Sequence, residues 1–162
     1  MLVTTALAFA SPAKAEWQYT RWGMSPSEVV VASGSTAELV AADEGNSIFG
    51  QQMLARAPYQ AAGVTFRAEF LFSPLGHALS MVRLSVLDPR NCDALLGELR
   101  GRYGSPSLSD NSSRFGIVRV EWNVVAQNNH ILFADVPAEG ASPRLCHIIY
   151  RPISGVRGAT DL

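Results

Sequence analysis

Val64-Thr65-Phe66-Arg67-Ala68-Glu69-Phe70-Leu71-Phe72 is the stretch on which the fold turns. Val64, Phe66, Ala68, Phe70 and Phe72 alternate with Thr65, Arg67, Glu69 and Leu71, the period of a strand that buries one face. Ser73-Pro74-Leu75-Gly76 then reverses the chain. On the return, Val82, Leu84 and Val86 point one way and Arg83 and Ser85 the other, so the pair forms an antiparallel hairpin with one wet face. Upstream, Met53–Gln60 reads as a further strand in which Pro58 demands an edge or a bulge, and Ala61-Ala62-Gly63 turns it into the hairpin.

Downstream the period changes to that of a helix. Asp88 can cap it, Pro89 suits its first position, and Cys92, Leu95, Leu96, Leu99 and Tyr103 share a face. Gly104 and Pro106 stop it. Three more strand patterns follow, Phe115–Val125, His130–Val136 and Leu145–Arg151. At the other end, Ser25-Pro26-Ser27-Glu28 is a capping box opening a short helix, which the β-branched Val29-Val30-Val31 and then Gly34 curtail. The aromatic segment Trp17–Trp22 before it alternates like a short strand. Residues 35–52 are ambiguous, since Ala37–Ala42 can extend a helix or pair as a strand.

These patterns predict one α+β domain over residues 16–153. Its expected architecture is an antiparallel sheet of about five to six strands with two helices packed on one face, arranged as two α-β-β-β-like halves. Residues 154–162 read as a loose C-terminal tail.

Leu2–Ala10 is a short, mostly apolar run, and Ala13-Lys14-Ala15 has the small-x-small form of a cleavage site. Together they predict a secretory signal peptide over residues 1–15. It lacks the usual basic start, which a chain beginning upstream of Met1 would supply. The run is far shorter than the ~20 residues that span a bilayer, and no Cys follows it to accept a lipid. The expected product is therefore periplasmic or secreted, without a membrane anchor.

Export bears on the two cysteines. Cys92 lies on the apolar helix face and Cys146 shares a strand face with Ile148 and Tyr150, so the sulfurs can meet between helix and sheet. In an oxidising compartment that placement predicts a Cys92–Cys146 disulfide. His147 beside Cys146 projects from the opposite strand face, which argues against a catalytic thiol.

The formal net charge of −1 becomes −2 once Lys14 is removed, and the arginines are scattered. Neither property fits nucleic-acid binding. There is no H-E-x-x-H, C-x-x-C, G-x-S-x-G, P-loop or G-x-G-x-x-G motif, so no catalytic residue, metal ligand or cofactor is expected. His77, His130 and His147 stand apart; pairing of His130 with Asp135 is disfavoured because the two lie on opposite faces of one strand. Trp17, Tyr19 and Trp22 are the binding candidates, as an aromatic patch, although core and lid packing explains them more simply.

Trp22-Gly23-Met24-Ser25-Pro26-Ser27-Glu28-Val29, Phe70-Leu71-Phe72 with its Pro74–Gly76 turn, and Leu99–Tyr103-Gly104-Ser105-Pro106 together carry a resemblance. The chain resembles small exported bacterial α+β proteins, the β-lactamase-inhibitor-like modules and the outer-membrane assembly lipoproteins that share their fold. The matching motifs are mostly caps and turns over about half the mature chain, so the resemblance speaks for fold more than for activity. The lipobox Cys of the lipoprotein branch is missing here, and no inhibitory loop carries over by residue. The resemblance implies a non-enzymatic exported domain that binds another protein or supports the cell envelope. An inhibitor of a secreted enzyme is the alternative, and a small-ligand-binding protein or hydrolase a third reading. A large apolar patch on the open sheet face would mark a protein partner; a deep pocket with convergent polar groups would mark a ligand.

Overall fold

The computed structural model describes residues 17–111 and 115–153. The expected signal peptide and the expected tail lie outside them.

Eleven residues, Gln51–Ala61, form the long strand β3, preceded at its free edge by two short strands, β1 (Glu38–Leu39) and β2 (Ser47–Ile48). Next come β4 (Val64–Phe72) and β5 (Leu79–Val86), then β6 (Leu108–Asp110), β7 (Val118–Val124), β8 (Asn129–Val136) and β9 (Leu145–Pro152). All pairings are antiparallel in one sheet of order β1-β3-β4-β5-β9-β8-β7-β6, with β2 also on β3. The last strand thus lies in the middle, where it joins the two halves: Val82 pairs with Tyr150 on one side and Ile131 with Tyr150 on the other.

This corrects the expected architecture. The sheet has nine strands rather than five to six, and the two helices are short, α1 (Pro26–Ala32) of seven residues and α2 (Cys92–Tyr103) of twelve. Nor are there two equal halves, since five strands follow α1 and four follow α2. The physical reason is that β1, β2 and β6 have two or three residues each, too few to show an alternation. Trp17–Thr20, expected to be a strand, is a tight turn closed by Thr20 N–H on Trp17 O at 2.8 Å.

Local chemistry accounts for the boundaries. Ser25 N–H donates to Glu28 Oε2 at 2.7 Å while Glu28 N–H donates to Ser25 Oγ, so the capping box is complete. Gly34 and Ser35, at φ 64° and 63°, end α1. Asp88 caps a single 3-10 turn, Pro89–Asn91, and not α2 itself, which starts one turn later at Cys92. Val40 N–H donates to Leu54 O, so residues of that parity turn their backbone groups to the free edge of β3. Pro58 shares the parity, and β1 ends opposite Arg56, so the donor that proline lacks has no strand to serve.

The β3–β4 link is a two-residue loop, Ala62-Gly63, with both residues at positive φ (50° and 74°). A type I′ turn prefers Asn before Gly, and alanine in the left-handed region costs about 1 kcal/mol. Ala62→Asn is therefore expected to stabilise the protein by about 0.5–1 kcal/mol, seen as a higher urea midpoint at unchanged slope.

One sheet face carries the main core, with Phe66, Phe70, Phe72, Val82, Trp122, Ile131 and Phe133 each no more than 2% exposed. Val29 of α1 and Cys92, Leu95 and Leu99 of α2 pack into it. The indole of Trp122 donates to Gly104 O at 3.0 Å, which ties the end of α2 to β7. The face expected to be wet is only partly so. Met53, Leu71, Met81 and Ile149 are buried there as a second, smaller cluster, against which Val40 and Ile48 from the ambiguous segment pack.

Candidate functional site

Two buried faces meet at Cys92 and Cys146, whose sulfurs are bonded. Asp93 beside Cys92 and Asp135 opposite Cys146 both receive Arg144, at 2.8 and 2.5 Å. These ties fix the first turn of α2 against β8 and β9. Beyond them the helix runs on over the sheet, and between its later turns and the strands lies a cavity of about 210 Å³.

Phe66, Leu84 and Ile148 form the sheet side of this cavity, and Leu95 and Leu99 the helix side. Its remaining walls are aromatic: Trp17 from the N-terminal turn, Tyr59 of β3, Tyr103 of α2 and Tyr150 of β9. Trp17 holds this wall together, meeting Tyr59 edge-on at 5.3 Å between ring centroids and Phe70 at 5.7 Å. Ala61 leaves the space that a larger side chain would fill.

Polar groups converge from the N-terminal turn, β3, α2 and β9. Gln18 Nε2 donates to Tyr59 Oη at 2.9 Å, and the Tyr103 and Tyr150 hydroxyls lie 3.3 Å apart. Burial pushes the Tyr150 hydroxyl well above the ordinary phenol range, and the Tyr103 hydroxyl adds to this. Burial raises Tyr59 as well, with Arg102 opposing. Arg102 also stands over the Tyr103 ring at 5.7 Å.

Of the three residues singled out in the sequence, only Trp17 lines the cavity. Tyr19 is half-buried against Trp17 and Phe70, and Trp22 packs against the main core. Tyr59, Tyr103 and Tyr150 were not singled out. Their signal was available, since a tyrosine at an inward position must find a partner for its hydroxyl.

The second face holds the other clusters. Glu69, 3% exposed, accepts from Arg83 Nε at 2.5 Å, Ser85 Oγ at 2.9 Å and Arg67 Nε at 3.2 Å. Burial pushes its carboxyl up, but these donors outweigh it and hold the group below its usual range. His130 pairs with Glu121 (2.9 Å) on the neighbouring strand, while Asp135 is taken by Arg144. Arg151 Nε donates to His130 Nδ1 at 3.1 Å, so the ring proton sits on Nε2 and points at Glu121. Both imidazole nitrogens are thereby engaged. Burial, with Arg83, lowers His147.

A second cavity, of about 360 Å³, lies beside β1 and β3. Its charged groups are paired: Arg56 with Glu38, which also lines it, at 2.6 Å, and Arg67 with Glu69. The cavity under α2 differs in the three tyrosine hydroxyls that border it. Among the described residues, no three His, Cys, Asp or Glu side chains gather as a metal site.

No family model, curated protein or solved structure matches the chain.

Proposed function

We propose that this is an exported, non-catalytic binding domain that takes a small ring compound into the cavity beneath α2. The disulfide is compatible with an extracellular or periplasmic location, and the apolar run with its Ala13-Lys14-Ala15 site supports export. The observation that carries the binding role is the cavity itself, apolar on two sides and bordered by three phenols. An apolar cavity of ~150 Å³ accommodates benzene, so about 210 Å³ takes one ring with a few further atoms.

The sheet's second face supports partner docking less well, because charge pairs link Glu69 of β4 to Arg83 of β5 and Glu121 of β7 to His130 of β8, on both sides of β9. A protein partner remains the second reading on a different observation. Phe49 and Leu75, 73% and 90% exposed, stand on the turns that begin β3 and follow β4.

A ligand of about ten non-hydrogen atoms, at about 0.4–0.5 kcal/mol per atom, binds with a Kd of roughly 0.1–1 mM. Titration of the tryptophan fluorescence, to which Trp17 in the cavity wall contributes with Trp22 and Trp122, is expected to saturate in that range with single-ring compounds. Ala61→Phe, which fills the space, is expected to abolish the response while leaving the unfolding midpoint within a few degrees. Equal binding by Ala61→Phe and the natural chain would refute the assignment.

A further inference from the structure

The hydroxyl protons around the cavity do not balance their acceptors. Gln18 donates to Tyr59, so the Tyr59 proton is not consumed in that bond. Tyr103 and Tyr150 share one hydrogen bond, which uses one of their two protons whichever way it runs. Two phenol protons are thus left without a hydrogen-bonded acceptor among the described side chains, although the amides of Gln127 and Asn129 and the carboxylate of Glu98 also border the cavity. The charge beside the phenols has the same sense. Arg102 lies beside the phenols and over the Tyr103 ring, without a carboxylate partner among the described residues. Glu98, one turn earlier on α2, also borders the cavity but makes no ion pair with it.

The phenol end of the cavity, with surplus donors and Arg102 beside them, selects a ligand group that accepts and carries negative charge. We infer that the ligand class is the small aromatic carboxylates of about nine to eleven non-hydrogen atoms, the ring against Trp17 and Tyr59 and the carboxylate at the Tyr103–Tyr150 pair and Arg102. The inference rests on the binding function proposed above and adds the chemical class. The raised ionisation of Tyr150 and Tyr59 keeps both groups as donors through the neutral range. A neutral amide isostere places an NH2 where one acceptor should be, and so faces a donor with a donor.

The test is calorimetry at pH 7 on the disulfide-bonded protein, with benzoate and phenylacetate against benzamide and phenylacetamide. The carboxylates are expected to bind about 10-fold tighter than their amides. Arg102→Gln should cut that preference to about 2-fold, and Tyr150→Phe should weaken the carboxylates about 5-fold. Arg102 is exposed, so its loss reads on recognition and not on folding. Amides that bind as tightly as the acids would overturn the carboxylate assignment and leave the binding cavity standing. If neither series binds, the cavity reading falls and takes the ligand class with it.

Discussion

Reducing the Cys92–Cys146 bond, or replacing both residues by alanine, is expected to lower the melting temperature by about 12 °C. The bond closes a loop of 54 residues between α2 and the central strand β9. Loop-closure entropy for that length contributes about 4 kcal/mol. For a domain of this size, each kcal/mol moves the midpoint by roughly 3 °C. Alanine is the better replacement, because both sulfurs are no more than 2% exposed and serine would bury two hydroxyls. The reduced protein should still fold at 25 °C. Leu95 and Leu99 remain in the core, and Arg144 still bridges Asp93 and Asp135 beside the lost bond. Scanning calorimetry with and without reductant decides the matter. A shift under 3 °C would show that the loop is already restrained in the unfolded chain, or that the pair is not bonded.

How much of this was legible depended on scale. Along Val64–Phe72 the alternation is set by residue type, and the strand lies where it points. Pro58, Ser25 and Gly104 each carry a steric or bonding rule strong enough to be read alone. Leu71 and Met81 show the limit. Alternation put Leu71 on the wet side, where it indeed lies, yet it is fully buried, because the unreadable segment around Val40 and Ile48 packs against that cluster. Burial here is decided by a neighbour distant in sequence, not by the strand. The same holds for the cavity. Tyr59, Tyr103 and Tyr150 come from three elements, and only the pairing of β5 with β9 brings Tyr59 and Tyr150 into one sheet beneath the helix that carries Tyr103. His130 repeats the lesson: its own strand offered Asp135 on the wrong face, while its partner Glu121 sits on β7.

Glu69→Ala is expected to cost about 2–3 kcal/mol at pH 7, and Glu69→Gln about half of that. The carboxylate is nearly sealed from solvent, with a side-chain exposure of 4% against 26% for Arg83. Removing it strands the Arg83 guanidinium and the Ser85 hydroxyl on the same face. Breaking a fully buried ion pair costs about 3–5 kcal/mol; the partial exposure of Arg83 and the half-exposed Arg67 reduce this, since both can turn towards water. The pH dependence separates charge from packing. Burial alone would raise the Glu69 carboxyl, but the hydrogen bond and charge of Arg83, with Ser85 and Arg67, bring it below the unfolded value. A depressed carboxyl contributes stability that is present in full above the unfolded pKa, near 4.5, and is lost as pH falls through the folded one. Urea unfolding at pH 7, 5, 4 and 3 should therefore show the natural chain converging on Glu69→Gln in acid. Glu69→Ala should stay below both at every pH, because the cavity it leaves does not titrate. A gap between the natural chain and Glu69→Gln that is constant from pH 7 to 3 would mean that shape, not charge, holds this part of the sheet together.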